Sequence, residues 1–184
     1  MERPKIFWEE MYVEKQSFYL SEQQINIVFL GLEPSDMLLD LGSGTGNILR
    51  LCEERSVVAV GIDISGTAIK VAIDSGIKSK QIVHDLNNVS NLELDTKFKK
   101  IILNKSLAFL IDKKMILSWV KKHMTESGEV VIITPIDTSE KVWNKSISIL
   151  DADVKKILSD VFNSVELKNI ESGTSGDVAT YVCR

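Results

Sequence analysis

The sequence is poor in the residues that mark secreted, membrane-spanning or low-complexity proteins. It has two cysteines and three prolines among 184 residues, and no run of apolar residues is long enough to span a bilayer. Cys52 and Cys183 lie far apart and fit neither a disulfide framework nor a metal-ligand spacing, so we expect both to be buried, reduced thiols. With no apolar stretch of signal-peptide length behind Met1, these absences predict a cytoplasmic protein without a membrane partner.

An excess of basic residues is also missing. The net charge is -4 and the isoelectric point is near 5.3, which makes nucleic acid an unlikely partner. A local group of lysines is interpreted as solvated surface, and its members are Lys97, Lys99, Lys100, Lys105, Lys113 and Lys114. No cluster of His, Cys and carboxylate residues occurs at ligand spacing, so no metal site is expected.

Length and composition favour one globular domain spanning residues 1–184, because 44% of the residues are apolar and 26% are charged. Short β-rich runs alternate with helical patterns, which predicts an α/β fold with a doubly wound, mostly parallel seven-stranded sheet and helices on both faces. The predicted strands are Met37–Leu41, Val57–Asp63, Gln81–His84, Lys100–Asn104, Glu129–Thr134, Val161–Ile170 and Val178–Cys183.

The connections set the expected strand directions. Crossover helices are predicted at Asn47–Glu54, Thr67–Ser75 and Lys113–His123, and such crossovers produce parallel neighbours. The Gly/Ser-rich link between the last two strands fits a hairpin, which predicts an antiparallel C-terminal edge strand. Ser21 reads as the N-cap of a further helix, so residues 21–184 form the predicted core and residues 1–20 an extension or lid.

The most informative motif is a glycine loop between the first strand and its helix. Leu38-Leu39-Asp40-Leu41 runs directly into Gly42-Ser43-Gly44-Thr45-Gly46. Glycines at such a turn let the backbone approach a ligand, and the start of the helix offers unpaired N–H groups. The next strand ends in Asp63, 17 positions after Gly46, where an acid can accept hydrogen bonds from ribose hydroxyls. The two signals together predict a nucleotide-type site.

The glycine spacing disfavours NAD, since the third glycine of the dinucleotide fingerprint falls on Asn47. From about Asp36 onwards the sequence resembles the class I, Rossmann-like S-adenosylmethionine-dependent methyltransferases. The resemblance implies S-adenosylmethionine as cofactor, with its methionine part in the loop and its ribose on the acid. The residues implied for these contacts are Asp40, Gly42, Ser43, Gly44, Thr45, Gly46 and Asp63.

The same resemblance implies an adenine site after the third strand. Asp85 is the candidate for the adenine amino group, and Ile64 and Leu86 would hold the base between apolar surfaces. The alternative is that Asp85 only caps a turn. After the fourth strand, Asn104 corresponds to the residue of the family that lies nearest the methionine end and the acceptor.

The acceptor pocket is less clearly marked. One candidate is an N-terminal cluster with Trp8, Tyr12, Phe18 and Tyr19, and the other is a second cluster, Thr134–Thr138 with Trp143. The side chains proposed to contact the acceptor are Tyr12, Tyr19 and Asn104. Either cluster could instead be satellite core. No catalytic base is obligatory, because a sulfonium methyl group is already activated.

The sequence therefore predicts an S-adenosylmethionine-dependent methyltransferase with a small-molecule acceptor. Two alternatives stay open. One is a protein or tRNA methyltransferase, and the other is a catalytically inert, cofactor-binding regulatory subunit.

Overall fold

The computed structural model describes residues 5–13, 18–137, 149–173 and 176–184. Trp143 and Thr138 of the second predicted acceptor cluster lie outside these residues. The helices are α1 (Lys5–Val13), α2 (Glu22–Phe29), α3 (Asn47–Glu54), α4 (Gly66–Asp74), α5 (Lys113–Lys122) and α6 (Asp151–Ser159). The strands are β1 (Met37–Leu41), β2 (Val58–Asp63), β3 (Lys80–Val83), β4 (Phe98–Asn104), β5 (Met124–Asp137), β6 (Ile149–Leu150), β7 (Val165–Gly173) and β8 (Gly176–Cys183).

The strands form one sheet in the order β3-β2-β1-β4-β5-β8-β7, and the short β6 pairs with β5. The first five strands of this order, β3 to β5, are parallel to one another. β8 is antiparallel to both β5 and β7. The predicted doubly wound α/β sheet with an antiparallel C-terminal pair is confirmed. Its arrangement differs in one respect, because β8 inserts between β5 and β7 and leaves β7 at the edge.

Apolar side chains cover both faces of the sheet. This agrees with the sequence of the central strands, where apolar residues run continuously instead of alternating with polar ones. On β1, Leu39 and Leu41 belong to the core under α5 and α6, while Leu38 belongs to the core under α2, α3 and α4. A third, smaller cluster lies apart from both and joins Met11 and Tyr12 of α1 to Ala68 of α4.

Several predicted boundaries are wrong by a few residues, and one strand is misplaced. Val161 to Ser164 do not begin the sixth predicted strand, because they form the turn after α6 and strand pairing starts at Val165. The sequence analysis predicts no helix at Asp151–Ser159, although Val154 and Leu158, four residues apart, bury its apolar face. β5 starts five residues earlier than predicted, at Met124.

The N-terminal boundaries of α2 and α4 follow from their capping residues. Ser21 accepts a hydrogen bond from Gln24 N–H in a capping box, and Ser65 accepts one from Ala68 N–H. Cys52 and Cys183 are both buried free thiols, as predicted. No helix among the described residues is long and apolar enough to cross a membrane.

Candidate functional site

A cleft opens at the carboxyl ends of β1, β2 and β4. The strand order reverses between β1 and β4, and in open parallel sheets such a switch point is where ligands bind. The cleft has two adjoining parts that share Tyr12, Phe18, Gly42 and Asn104. The loop part follows Asp40, the glycine loop and the start of α3. The larger part continues past Asp63 to residues 85–87 and 104–110, under α1.

The glycine loop takes the left-handed backbone conformation that its sequence predicts. The φ angles of Gly42, Gly44 and Gly46 are 84°, 52° and 78°. At Gly44 a close contact adds a second constraint, because a Cβ there would lie 2.6 Å from the hydroxyl oxygen of Tyr12. Only glycine lets α1 approach the loop this closely. Ser43 and Thr45 line the loop part with these glycines.

Asp63 lies at the end of β2 and lines the larger part of the cleft. Its carboxylate accepts hydrogen bonds from Gly44 N–H at 2.8 Å and from Ser65 N–H at 2.9 Å. Burial raises the pKa of Asp63, and the two N–H donors act in the opposite direction. Each carboxylate oxygen can still accept a second hydrogen bond, so the group can bind a diol while it holds the loop.

Asp40, the last but one residue of β1, is the most deeply buried acid of the cleft. It is 1% exposed, and its Oδ1 atom has no hydrogen-bond partner among the described residues. Burial, with the nearby charge of Asp63, raises the pKa of Asp40 to about 8. Burial therefore favours the protonated form of Asp40 until a cation or donor reaches it.

The predicted adenine residues come together in the larger part of the cleft. Ile64, Asp85 and Leu86 all line it. The alternative reading of Asp85 also holds, since its Oδ1 accepts a hydrogen bond from Asn87 N–H at 2.9 Å and caps the 3-10 turn at Leu86–Asn91. A turn cap and a ligand contact are compatible, because a carboxylate has several acceptor sites.

Asn104 ends β4 and lines both parts of the cleft. Its Oδ1 atom is buried without a partner among the described residues. Two residues later, Ser106 Oγ donates to Leu41 O at 2.7 Å and fixes the segment after β4 against β1. Asn104 therefore offers a buried hydrogen-bond acceptor between the two parts of the cleft. Because a buried acceptor without a partner is unfavourable, this position favours a ligand that donates a hydrogen bond to it.

Helix α1 lies over the cleft and is held there by Glu9. The Glu9 carboxylate accepts hydrogen bonds from Ser65 Oγ at 2.8 Å, Gly66 N–H at 3.0 Å and Thr67 N–H at 2.9 Å. It thus caps the N-terminus of α4 from another helix. Burial alone would raise the pKa of Glu9, but these donors hold it at about 2.

Aromatic side chains of the N-terminal segment cover part of the cleft. The Trp8 ring meets the Phe109 ring edge to face, with 4.8 Å between centroids. Trp8, Tyr12 and Phe18 line the cleft. Tyr19 is 70% exposed and is not among the lining residues, so the structure does not bring it together with the other predicted acceptor residues. The Phe18 carbonyl accepts a hydrogen bond from Asn47 Nδ2 at 3.3 Å, which links Phe18 to the first residue of α3 beside the cleft.

The second predicted acceptor cluster does not reach the cleft where the structure describes it. Thr134 and Ile136 are buried in the sheet, and none of residues 134–137 lines either part of the cleft. β5 pairs with β8 as far as Ile136 and with β6 at Ile136 and Asp137, so these residues belong to the sheet rather than to the pocket.

Three further residues at the cleft, Glu9, Phe109 and Lys105, have no role of their own among the sequence predictions, although Lys105 and Phe109 belong to the segment after the fourth strand that resembles the family. Lys105 belongs to the group interpreted as solvated surface, but it lines the cleft, and Lys100 of the same group is 2% exposed and paired with Glu129 at 2.6 Å. Their positions relative to β4 could have indicated this, since Lys100 lies within the strand before its central apolar run and Lys105 directly follows Asn104, where the strand ends. Glu9 and Phe109 carry no comparable signal. No group of His, Cys, Asp and Glu suited to a metal occurs among the described residues.

Comparison with known proteins identifies the family of this chain. The profile of a family described as "Methyltransferase domain" matches residues 14–171. The chain belongs to this family. No curated protein sequence matches it significantly.

Solved methyltransferase structures share the whole fold at low sequence identity. The DhpI complex with S-adenosylhomocysteine has a TM-score of 0.73 at 14% identity, covering 97% of this chain and 93% of its own. A TehB-like S-adenosylmethionine-dependent methyltransferase from Corynebacterium glutamicum has 0.67 at 16%, covering 97% and 95%. Magnesium protoporphyrin IX methyltransferase from Synechocystis, with bound S-adenosylmethionine, has 0.66 at 15%, covering 98% and 96%.

The enzyme class and the cofactor predicted from the sequence agree with this family. The chain is an S-adenosylmethionine-dependent methyltransferase of class I. Its acceptor is a separate question, which the cleft itself addresses.

Proposed function

We propose that this methyltransferase modifies a small molecule that enters the larger part of the cleft beneath α1. The observation that carries the proposal is the partial cover that α1 provides over the cleft, where Trp8 contacts Phe109 and Tyr12 lies against Gly44. A polypeptide or a folded RNA needs an open groove beside the reacting atoms, whereas a small acceptor can be enclosed and shielded from water. The net charge of -4 also disfavours a nucleic-acid acceptor.

The two buried acids suit the two polar ends of the cofactor. Asp63 would accept hydrogen bonds from the ribose hydroxyls with the lone pairs that Gly44 and Ser65 leave free. Asp40 would take the cofactor's ammonium group on its unpartnered Oδ1 atom. This contact would give the buried carboxyl a counter-charge, and it would then release its proton.

The remaining cofactor contacts are assigned from the lining of the cleft. Ile64 and Leu86 would hold the adenine between them, and Asp85 would accept from its amino group. The N–H groups of the glycine loop and of the first turn of α3 would receive the carboxylate of the methionine part, as helix N-termini receive anions. These residues fit the cofactor because they supply acceptors where it is cationic and donors where it is anionic.

The bound sulfonium supplies an activated methyl group, and the protein's own residues must align the acceptor and exclude water. Asn104 lies where both parts of the cleft meet, so its unpartnered Oδ1 would accept a hydrogen bond from the acceptor's nucleophile or from the cofactor. Trp8, Tyr12 and Phe18 would cover the reacting atoms. In this proposal residues 1–20 act as a lid on a single domain of residues 1–184.

The two alternatives make different demands on the same cleft. A protein or tRNA methyltransferase would need α1 to move aside for its substrate, and Glu9 with its three hydrogen bonds opposes that movement. An inert regulatory subunit would need a cleft that takes cofactor but no acceptor. The larger part of the cleft continues past Asn104 to Phe109 and Leu110, beyond the proposed cofactor contacts, and this space favours an acceptor.

The test follows the label from S-[methyl-³H]adenosylmethionine. The protein is incubated with a cell extract divided into a low-molecular-weight ultrafiltrate, a protein fraction and an RNA fraction, with Asp63→Ala as the matched inactive control. We expect tritium only in small molecules of the ultrafiltrate. Label in protein or RNA would replace the proposal with a macromolecular acceptor, and no label in any fraction, although cofactor binds, would favour the regulatory subunit.

A further inference from the structure

Lys105 is the first residue after β4, and it leaves the sheet in an uncommon conformation. Its φ angle is 60°, in the left-handed region, and its N–H donates to Ile133 O at 2.6 Å. A residue with a Cβ adopts this conformation at a cost of about 1 kcal/mol, and such strain gathers at functional sites. The side chain lines the larger part of the cleft and is half-buried.

The ammonium group of Lys105 has an aromatic neighbour but no ionic partner within the part of the chain that the structure describes. Nζ lies 5.3 Å from the centroid of the Phe18 ring, which lines the same cleft. It makes no hydrogen bond and no ion pair within 4.0 Å to any residue that the structure describes. Burial lowers its pKa, and the more distant charge of Glu171 acts in the opposite direction. The Glu171 carboxylate is itself engaged by Ser21 Oγ and Asn169 Nδ2.

The rest of the cleft is acidic, so Lys105 stands out. Among the described residues that line either part, it is the single cation, against Asp40, Asp63 and Asp85. The acids suit the cofactor, which carries a sulfonium and an ammonium against one carboxylate. A half-buried lysine in the same cleft would repel the sulfonium unless an anion lay near it.

We propose that Lys105 binds an oxyanion, a carboxylate or a phosphate, carried by the methyl acceptor and separate from the atom that receives the methyl group. The inference rests on the proposed function and names the class of its substrate: small anionic molecules. A charge-assisted contact from a half-buried ammonium is strong enough to orient an acceptor, and Phe18 would pack against the acceptor's apolar part.

The cofactor's own carboxylate is the other oxyanion that enters this cleft. It is the weaker candidate, because the N–H groups of the glycine loop and α3 border the loop part, whereas Lys105 borders the larger part alone. S-adenosylhomocysteine and 5′-methylthioadenosine separate the two sources, since the second compound lacks the carboxylate.

The first test observes Lys105 directly. Full-length protein with ¹³Cε-labelled lysine is saturated with S-adenosylhomocysteine, and the Lys105 signal is assigned from its loss in Lys105→Met. Sodium acetate is then titrated into the sample, and separate titrations with acetamide and with sodium chloride at equal ionic strength serve as controls. We expect acetate alone to shift the Lys105 signal saturably, with a dissociation constant on the order of 10 mM. Lys113 is the internal control, because it is also half-buried but donates to Leu110 O at 2.6 Å.

Three outcomes would overturn the inference. In the first, acetate shifts the Lys105 signal no more than chloride does. In the second, the Lys113 signal responds to acetate as the Lys105 signal does. In the third, S-adenosylhomocysteine shifts the Lys105 signal, 5′-methylthioadenosine does not, and acetate has no further effect. The last result would assign Lys105 to the cofactor's carboxylate. A protein that fails to bind S-adenosylhomocysteine at all would instead refute the proposed function, so the two failures are distinguishable.

The second test uses the tritium-labelled product of the ultrafiltrate. We expect it to be retained on an anion exchanger at pH 8, and we expect Lys105→Met to lower its rate of formation about 10- to 100-fold. Lys105→Arg should recover part of the rate because it keeps the charge, and Lys113→Met should match wild type. An unretained product would contradict the inference. Loss of activity in Lys105→Arg, with no saturable acetate binding in wild type, would indicate a proton-accepting lysine instead.

Discussion

The two sides of the cleft are built from different parts of the sequence. The cofactor side comes from β1, the glycine loop and β2, which are consecutive, and its acids Asp40 and Asp63 end neighbouring parallel strands. The acceptor side combines α1, Phe18 and the segment after β4, which lie far apart in the chain. The first is acidic and fixed by backbone hydrogen bonds, whereas the second is aromatic and carries Lys105.

This difference assigns separate tasks to the two sides. Asp63 holds the loop through Gly44 and Ser65 as it holds the ligand, so cofactor binding and loop shape depend on one carboxylate. The acceptor side is held from outside, by Glu9 on α4 and by the Trp8–Phe109 contact. Changes on the first side should therefore act on cofactor affinity, and changes on the second on turnover.

The largest effect is expected from Asp63→Ala. It removes two charge-assisted acceptor sites for ribose and releases Gly44 N–H, so affinity for S-adenosylhomocysteine should fall at least about 100-fold. Asp85→Ala is the matched comparison and should cost less, because adenine keeps its apolar contacts. Isothermal calorimetry measures both. Equal affinity of Asp63→Ala and wild type would show that the ribose is placed wrongly.

Removing the lid, residues 1–20, should lower turnover far more than cofactor affinity. A protein that begins at Ser21 loses Trp8, Tyr12 and Phe18, and we expect methyl transfer to fall about 100-fold while equilibrium affinity for S-adenosylhomocysteine changes by less than about tenfold. α1 forms its own cluster with α4, separate from both sheet cores, so the shortened chain should keep a cooperative melting transition. Full activity would eliminate the lid, and a collapse of the melting temperature would make the segment a packing element.

The pH dependence of cofactor binding should distinguish Asp40 from the other acids. Because its pKa in the free protein is raised to about 8, a cationic amino group that binds it must displace a proton. Affinity for S-adenosylhomocysteine should then rise up to about tenfold per pH unit between pH 6 and 7.5. The same raised pKa predicts that the free protein loses stability as the pH rises towards 8.

Two controls isolate this proton. 5′-Methylthioadenosine lacks the α-amino group of the methionine part, so its affinity should stay flat over the same range. Asp40→Asn should bind S-adenosylhomocysteine more weakly and without the slope. Calorimetry in buffers of different ionisation enthalpy counts the released proton, and a count near zero at pH 7 for wild type would refute the protonated Asp40.

The smallest effect is expected from Glu9→Gln. The substitution keeps the shape but removes the charge at the N-terminus of α4, which should cost about 1 kcal/mol of stability and speed amide exchange in α1. Since the folded pKa of Glu9 is lowered to about 2, its contribution is present above its ordinary value of 4.5 and is lost as the pH falls towards 2. Glu10→Gln, on the neighbouring residue, should leave both quantities unchanged.

The sequence predicts the cofactor side better than the acceptor side for a physical reason. Strand, glycine turn and helix are local, so Asp40, Gly44 and Asp63 could be placed from spacing and from the rule that parallel strands end at one edge. Glu9 and Phe109 acquire their roles only when α1 docks on a distant loop. Tyr19 could not be told from Phe18, because aromatic character alone does not show which of two neighbours faces the cleft.

Lysines show the same limit. Lys100 and Lys105 look alike in a basic stretch, yet one is buried in the sheet against Glu129 and the other borders the cleft. Charge predicts exposure only on average, and strand position decides the individual case. The sequence does not predict α6 because Leu150 precedes it without a side-chain cap, which leaves the acidic residues of its first turn, Asp151 and Asp153, as a weak start signal.

Thermal unfolding with added nucleotides tests the central claim most directly, because it asks which ligand the folded cleft selects. S-adenosylhomocysteine at about 100 times its dissociation constant should stabilise the protein by about 2.7 kcal/mol. NADH at the same concentration should leave the melting temperature unchanged, and Asp63→Ala should lose most of the shift. Stabilisation by NADH alone, or none by S-adenosylhomocysteine, would contradict the account.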